Sequence, residues 1–362
     1  MRYFSYGRGD LKRAQAGADR QLKGEFHSGG QEQMYLEGQA AMAVPQDDGG
    51  MLVHASTQHP SEGQKLVAEV LGLPMSMVTV DVRRMGGAFG GKETNANQWS
   101  CIAALAAHRS GRCVKLRLAR ADDFAVTGKR HPFFSRYTVA FDNDGTIRGL
   151  DLELAGNCGM SPDLSDAIVD RAMFHSDNCY FLPATDIRGH RVRTDTVSNT
   201  AFRGFGGPQG MLVMEHIIEQ VATATGLDPL DVRKRNFYRA ENGRDTTHYG
   251  QKIEQHIIGP LVDRLENTAN YRARRQEISA FNAESPVLKR GLALTPVKFG
   301  ISFTVQHLNQ AGALLHVYTD GSIQLNHGGT EMGQGLYTKV AQIVASELQV
   351  DISRITCTST RT

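Results

Sequence analysis

The sequence predicts an α+β fold with mixed sheets, hairpins and glycine loops that open helices. Three observations lead to this prediction. Alternating apolar runs surround Asp-Gly turns, other segments repeat apolar residues at helical spacing, and many of the 38 glycines among 362 residues are clustered. Glycine exceeds its usual share of about 7%. No period of about 20–50 residues repeats, which excludes a solenoid.

The first part of the chain alternates helices and strands. A helix is predicted from Ser61, as its N-cap, to Gly72, and the alternating run MVTVDVR follows as a strand. A second helix is predicted from Gln98 to His108, ending before Gly111. The next run, CVKLRL, reads as another strand.

Two hairpins and three further helices complete the prediction. The runs SRYTVAFDNDGTIRGLDLELAG and LLHVYTDGSIQLNH each turn at Asp-Gly, a strong hairpin signal. Between them, PQGMLVMEHIIEQVATATG and DPLDVRKRNFY read as helices, the first opened by Pro208 and closed by Gly226. The charged run RLENTANYRARRQEISAFNAES predicts one solvated helix that links two domains.

Charge and cysteine content exclude several classes of protein. The 40 basic and 38 acidic residues leave a net charge of +2, so the chain offers no global attraction for nucleic acid or an anionic membrane. No run approaches the roughly 18 apolar residues of a membrane span, and the N-terminus lacks an apolar signal region. Five widely spaced cysteines indicate no disulfide framework, zinc ribbon or iron–sulfur cluster. We therefore expect a cytoplasmic protein.

The stretch GGAFGGKE, residues 86–93, almost spells a nucleotide-binding P-loop. It matches G-x-x-x-x-G-K, but Glu93 stands where a P-loop places the Ser or Thr hydroxyl that binds magnesium. A carboxylate there would repel phosphates. A P-loop hydrolase is therefore a minor alternative, which magnesium-dependent ATP binding would revive.

Two more glycine loops follow, AFRGFGGPQG at 201–210 and HGGTEMGQG at 327–335, and each precedes a predicted helix. Glycine lets the backbone approach a ligand closely, and helix N-termini offer N–H groups to oxyanions. One such loop is equally well a tight turn. Three suggest an oxygen-rich ligand gripped by backbone, such as a dinucleotide, a pterin phosphate or a metal oxo-centre.

Several side chains in or near these loops are candidate ligand contacts. Phe89, Phe205 and Phe303 each either fill a core, the better interpretation for any one of them alone, or face a planar ligand. Ordinary loop, surface or helix-dipole roles would also account singly for the polar candidates, which are Gln58, Glu93, Arg171 and Arg203.

Taken together, these stretches resemble the molybdenum-binding portion of the xanthine dehydrogenase and aldehyde oxidase family of molybdenum hydroxylases. The resemblance covers nearly the whole chain. It rests on long motifs in a fixed order, which are GGQEQMYLEGQAAMAVP, RMGGAFGGKET, GKRHPFF, DRAMFHSDNCY, NTAFRGFGGPQG, KFGISFTVQHLNQAGALLHVYTDGS and HGGTEMGQGL. It implies a fold of that family's molybdenum-binding type, with molybdopterin as the cofactor.

The resemblance also assigns roles residue by residue. It implies that the cofactor is bound by Gln58, Phe89, Gly90, Arg203, Met332, Gly333 and Gln334, with Gln58, Phe89 and Arg203 around the molybdenum itself. It implies that the purine is bound by Glu93, Arg171, Phe205, Phe303 and Thr304. Aldehyde oxidases of the family lack the pair Glu93 and Arg171, so the pair favours xanthine or hypoxanthine as substrate.

The implied reaction is hydroxylation of a purine carbon with oxygen from water, with Glu93 and Arg171 as catalytic residues. Electrons would leave through 2Fe–2S clusters and FAD on partner subunits or domains, and an oligomer is expected. No residue here matches the family's glutamate general base. We therefore expect a fragment that is inactive alone; the alternative is a cofactor-free, catalytically silent fragment that only folds or self-associates.

The same resemblance predicts the domain organisation. Residues 1–22 are predicted to be a linker from a preceding domain, and residues 23–262 the first molybdenum-cofactor-binding domain. Residues 263–287 are predicted to form a linker helix, and residues 288–362 the start of a second, truncated cofactor-binding domain.

Overall fold

Three β-sheets flanked by helices make up the computed structural model, which describes residues 3–362. The strands are β1 (Tyr3–Arg8), β2 (Arg20–Ser28), β3 (Ala40–Pro45), β4 (Met51–Ala55), β5 (Val78–Val82), β6 (Val114–Arg117), β7 (Phe133–Phe141), β8 (Ile147–Gly159), β9 (Thr185–Arg193), β10 (Ala313–Val317), β11 (Ile323–His327), β12 (Ile355–Cys357) and β13 (Thr360–Arg361). The helices are α1 (Leu11–Gly17), α2 (Pro60–Leu71), α3 (Asn95–Ser110), α4 (Arg120–Val126), α5 (Ser165–Phe174), α6 (Gly207–Thr225), α7 (Pro229–Asn236), α8 (Ile258–Thr268), α9 (Tyr271–Glu284) and α10 (Leu336–Leu348).

The first sheet has five strands in the order β1-β9-β8-β7-β2. Its centre is the antiparallel hairpin β7–β8, which turns at Gly145 with φ +84°, so the first predicted hairpin is confirmed. Alternate residues of β8, among them Leu150, Leu152 and Leu154, are fully buried. They belong to a core that the apolar faces of α5 and α6 complete.

The second sheet, in the order β13-β5-β4-β3-β6, carries α2 and α3 on one face. Alanines of α3, including Ala103 and Ala107, are fully buried there and let the helix lie close to the strands. The helix predicted over residues 98–108 is confirmed and begins three residues earlier, at Asn95.

The third sheet is small, in the order β10-β11-β12. Its β10–β11 hairpin turns at Gly321 with φ +80°, which confirms the second predicted hairpin. Strand β13 leaves this group and pairs with β5 of the second sheet, Thr360 lying opposite Val82. This pairing ties the C-terminal residues to the second sheet.

Two details of the prediction are wrong. Helix α2 has its N-cap at His59 and Pro60 at its first position, not Ser61 as cap, because proline suits a turn whose amides have no helical partner. The charged run is two helices, α8 and α9, separated at Asn270, whose φ is +49°. Tyr271 of this run is buried in the first core, so the run is not one solvated helix.

Residues 3–28 form β1, α1 and β2, of which β1 and β2 are the two edge strands of the first sheet. Residues 1 and 2 of the predicted linker lie outside the described part. The domain boundaries remain predictions. All five cysteines are free. Over residues 3–362, no helix is both long and apolar enough for a bilayer crossing.

Candidate functional site

The three glycine loops, far apart in sequence, meet around one pocket of about 810 Å³. They precede α3, α6 and α10, as predicted. The lining residues are Met34, Leu36, Gln58, Gly86, Gly87, Phe89, Gly90, Glu93, Ala201, Phe202, Arg203, Gly204, Phe205, Met332, Gly333 and Gln334. All seven residues predicted to bind the cofactor are therefore brought together.

Backbone hydrogen bonds join the loops to one another. The amide of Gly87 donates to the carbonyl of Met332 at 3.2 Å, which links the first loop to the third. The amide of Arg203 donates to the carbonyl of Phe89 at 2.9 Å, which links the second loop to the first. These bonds make the pocket wall largely backbone, with its shape set before any ligand enters.

Two glycines serve this wall in different ways. Gly90 has φ +100°, and a Cβ there would lie 2.8 Å from the carbonyl carbon and oxygen of Ala201, so only glycine allows the first two loops to touch. Gly333 has φ +106°, and a Cβ there would meet no protein atom within 4 Å. The backbone at Gly333 is therefore open to close approach by a ligand.

Phe89 and Phe205 take strained backbone conformations at the pocket. Their φ angles are +54° and +51°, which are rare for bulky residues and concentrate at functional sites. Phe89 is 37% exposed, and both residues line the pocket. The interpretation of these two phenylalanines as core residues is therefore wrong. The ring of Phe205 lies 5.4 Å from that of Phe303, tilted by 49°.

Gln58 and Arg203 present unused donors at the pocket. The Oε1 atom of Gln58 accepts a hydrogen bond from the Gly90 backbone N–H at 2.8 Å, and the backbone N–H of Gln58 donates to the Lys92 carbonyl at 2.8 Å. Among the described residues, neither the Nε2 atom of Gln58 nor the Arg203 guanidinium has a hydrogen-bond partner. Both suit an anionic, oxygen-rich ligand.

Lys92, the lysine of the P-loop-like stretch, does not reach the pocket. Its side chain is fully buried, its Nζ donates to the Glu37 carbonyl at 2.7 Å, and it lies 4.8 Å from the centre of the Tyr35 ring. Burial lowers the pKa of Lys92 to about 8, with Arg120 acting in the same direction. The structure thus gives the lysine a structural role, which removes the main support for a P-loop hydrolase.

Glu93 is, among the described residues, the only carboxylate that lines the pocket. Burial raises the pKa of Glu93 to about 7; the charges of Asp163 and Glu62 act in the same direction, and His59 opposes them. No side chain of the described residues hydrogen-bonds to the carboxyl. Near neutral pH it can therefore both donate and accept a hydrogen bond.

Arg171 lies behind the pocket rather than on its wall. This α5 residue is 5% exposed; its Nη1 donates to the Gly300 carbonyl at 2.7 Å and its Nη2 to the Ser302 carbonyl. Burial lowers the pKa of Arg171. Its guanidinium carbon is 5.8 Å from the centre of the Phe205 ring, so one aromatic ring separates it from the pocket.

Phe303 and Thr304 are likewise outside the lining set of the described residues, although Phe303 contacts Phe205. The Oγ1 atom of Thr304 is buried without a hydrogen-bond partner, which leaves it available to a ligand.

Sequence reasoning missed Met34 and Leu36, which line the pocket and are 66% and 86% exposed. The signal was present, since apolar side chains stood in the polar, glycine-rich GGQEQMYLEGQ stretch.

Glu331, in the third loop, is not free to act as a base. Its carboxylate accepts hydrogen bonds from the amides of Gly333, Gly335 and Tyr337, at 2.8 Å, 3.1 Å and 3.1 Å. Burial alone would raise the pKa of Glu331, but these hydrogen bonds outweigh it and lower that pKa. The residue shapes the loop that precedes α10.

Comparison with known proteins places this pocket in a described family. Residues 1–237 match a family model for a molybdopterin cofactor-binding domain, and residues 264–362 match a second model with the same description. The chain is 48% identical over 355 residues to a xanthine dehydrogenase of Drosophila subobscura and 46% identical over 356 residues to a xanthine dehydrogenase/oxidase of Mus musculus. Each match covers 98% of this chain and 26% of the relative, so the chain spans about a quarter of those proteins.

Two solved structures have the same fold. An aldehyde oxidoreductase from Desulfovibrio gigas superposes with a TM-score of 0.84 at 25% identity, covering 99% of this chain and 39% of that one. A quinoline 2-oxidoreductase from Pseudomonas putida 86 superposes with a TM-score of 0.84 at 22% identity, covering 99% and 47%. The predicted α+β fold of this type is confirmed.

Proposed function

The chain belongs to the family of molybdopterin cofactor-binding domains, and from this we propose that it forms the cofactor-binding and purine-binding part of a xanthine dehydrogenase. The reaction proposed is oxidation of hypoxanthine and xanthine to urate with oxygen from water, as a step of purine catabolism in the cytoplasm. One observation carries the proposal: the three glycine loops, Glu93 and the Arg203 guanidinium meet at a single pocket.

The residues at the pocket fit molybdopterin. Arg203 offers an unpaired cation to the anionic parts of the cofactor, and the Nε2 atom of Gln58 offers a donor to an oxygen. The open space at Gly333 allows backbone contact. When bound, the molybdenum centre supplies two-electron oxidation chemistry that no side chain can supply.

The substrate end of the pocket fits a purine. Phe205, backed by Phe303, offers a ring face to a flat heterocycle. Glu93, poised between its protonated and ionised forms, can pair with either a donor or an acceptor on the purine edge. Arg171, behind Phe205, places positive charge where negative charge develops on the purine in the transition state.

Electrons must then leave the site for other redox groups. Because the chain spans about a quarter of its curated relatives, we assign 2Fe–2S clusters and FAD to other domains or partner subunits of the complete protein. Among the described residues, no group of three or more His, Cys, Asp or Glu side chains is arranged to hold a metal ion.

The proposal is tested in the complete, cofactor-loaded protein with the double variant Glu93→Val, Arg171→Met. Removing both polar groups should lower kcat/KM for xanthine by about 10²–10³-fold, the loss typical of deleting a preorganised group in a dry site. The ratio of turnover with an aromatic aldehyde to turnover with xanthine should rise.

A matched control replaces exposed residues of the same types, Glu347→Val and Arg264→Met, and should leave the ratio unchanged. An unchanged ratio in the Glu93, Arg171 variant would contradict the proposed substrate. Molybdenum analysis separates this proposal from the cofactor-free alternative: about one molybdenum per chain supports the proposal, and none supports the alternative.

A further inference from the structure

A buried histidine joins helix α5 to the segment 296–303 behind the pocket. His175 is 6% exposed, its Nδ1 lies 2.9 Å from the Arg171 carbonyl, and its Nε2 lies 3.0 Å from the Gly300 amide nitrogen. A carbonyl can only accept and an amide N–H can only donate. The ring is therefore neutral, with its hydrogen on Nδ1.

Both backbone polar groups of Gly300, its N–H and its carbonyl, are hydrogen-bonded. His175 accepts from its N–H, and the Arg171 guanidinium donates to its carbonyl at 2.7 Å. The ring of the preceding residue, Phe299, also lies 4.9 Å from the His175 ring. The orientation of Gly300, and with it the place of the Arg171 guanidinium, thus depends on the histidine.

The start of the segment has separate anchors. The Asn178 side chain donates to the Pro296 carbonyl at 3.0 Å, and Lys298 Nζ pairs with the buried carboxylate of Asp177 at 2.9 Å. Between these anchors and Phe303, the segment is held at Gly300 by both His175 and Arg171, and at Ser302 by Arg171. Phe303 in turn packs on Phe205 at the pocket.

We propose that His175 is a positioning residue for the purine: by accepting from Gly300 it holds the Arg171 guanidinium and the Phe303 ring in their places beside Phe205. The inference rests on the proposed function, because these placements affect turnover only if Arg171 and Phe303 act on the substrate. Sequence reasoning had assigned His175 no role.

The surroundings of the ring keep it neutral. Burial lowers the pKa of His175, and the charges of Lys298 and Arg171 act in the same direction; the Arg171 carbonyl and the Asp177 charge oppose them. These charged groups come from α5, from the turn that follows it and from the segment itself. A protonated ring could not accept from Gly300.

Two substitutions separate the two contacts of the ring. The side-chain oxygen of glutamine in His175→Gln can reach the position of Nε2 and accept from Gly300, whereas the shorter amide in His175→Asn reaches only the position of Nδ1. In the complete, cofactor-loaded protein, His175→Asn should lower kcat/KM for xanthine about tenfold, through KM, since losing one buried hydrogen bond has about that effect. His175→Gln should stay within about threefold of the unaltered protein.

A double-mutant cycle identifies the partner through which the histidine acts. In an Arg171→Met background, His175→Asn should change kcat/KM by no more than about threefold, because the guanidinium is already absent and only the placement of the Phe303 ring can still be affected. Full additivity, or equal losses for the Gln and Asn variants, would overturn the inference. If Arg171→Met alone leaves xanthine turnover unchanged, the proposed function itself fails.

A second readout does not need turnover. Hydrogen–deuterium exchange of the Gly300 amide should be faster in His175→Asn than in His175→Gln and the unaltered protein. The three proteins should have the same Tm, so that the difference reports local and not global opening. Equal exchange in both variants would show that Gly300 is held by other contacts and would likewise overturn the inference.

Discussion

The Gly90 amide donates a hydrogen bond to the Oε1 atom of Gln58 at 2.8 Å, which fixes the direction of the whole carboxamide. With Oε1 in use, Nε2 is the group left for a ligand. Because Gly90 also touches the second loop at Ala201, this one bond connects the donor side chain to the junction of two glycine loops.

Gln58→Glu tests whether Oε1 supports the loop while Nε2 binds the ligand. The carboxylate can still accept from Gly90, so the free energy of unfolding should change by less than about 1 kcal/mol, but the NH₂ donor is replaced by an acceptor that repels oxygen ligands. Molybdenum content of the complete protein should therefore fall several-fold while Tm is nearly kept. Full molybdenum content in this variant would remove Gln58 from the set of cofactor contacts.

Gly90→Ala tests the contact between the loops. A methyl group would meet the Ala201 backbone at 2.8 Å, and the φ of +100° is itself unfavourable for alanine, so we expect a loss of about 3 kcal/mol or more in unfolding free energy. Gly49→Ala is the matched control, since its φ is +85° but its Cβ would meet nothing within 4 Å. Gly49→Ala should lower the free energy of unfolding by only about 1 kcal/mol, as measured by urea denaturation. Equal losses in the two variants would show that backbone strain, and not the contact with Ala201, accounts for the effect.

The features predicted from sequence are those that neighbouring residues determine. The hairpins at Gly145 and Gly321 follow from turn residues that demand positive φ, and each glycine loop precedes its helix in the chain. The break at Asn270 was not predictable in this way. It accompanies the burial of Tyr271, whose hydroxyl donates to Asp228 at 3.1 Å, a contact 43 residues distant in the chain.

The roles of single polar residues were harder to predict than the site as a whole. Lys92 looks like a phosphate-binding lysine by its spacing, yet its Nζ donates to a carbonyl 55 residues away. The main-chain partners of Arg171 lie 129 and 131 residues away at Gly300 and Ser302. Residues that come together only in the folded chain leave no signal in the local sequence. Motif resemblance therefore identified residues that line the pocket but did not indicate these contacts.

Glu93→Gln should change stability in a pH-dependent way. Burial raises the pKa of the folded Glu93 carboxyl to about 7, above its unfolded value, so its protonated form favours the fold at low pH and this stabilisation is lost as pH rises through about 7. Glutamine stays neutral. The stability of Glu93→Gln relative to the unaltered chain should therefore increase by about 1–2 kcal/mol between about pH 5.5 and 8.5.

Urea denaturation at several pH values measures this difference. The exposed substitution Glu347→Gln is the control and should show a difference that does not vary with pH. A pH-independent difference for Glu93→Gln as well would mean that the carboxyl is ionised throughout and does not switch between donor and acceptor at neutral pH.

Purified residues 1–362 should not oxidise xanthine with an artificial electron acceptor. General base catalysis needs a base within about 3 Å of the proton it takes and contributes about 10²–10⁴-fold. Among the described residues, Glu93 is the only carboxylate on the pocket wall, where we assign it to pairing with the purine edge, and Glu331 is occupied by three backbone amides. We also expect substoichiometric molybdenum, measured by metal analysis alongside dye reduction.

Turnover by this chain at a rate near that of the complete protein would contradict that expectation and would identify a base already present. Glu93→Gln and Glu331→Gln then distinguish the two candidates. Because Glu331 holds the loop that carries Met332 to Gly335, its substitution should lower molybdenum binding and turnover together. Loss of Glu93 as a base should instead lower turnover with molybdenum content unchanged, since no contact of its carboxyl supports the glycine loops among the described residues.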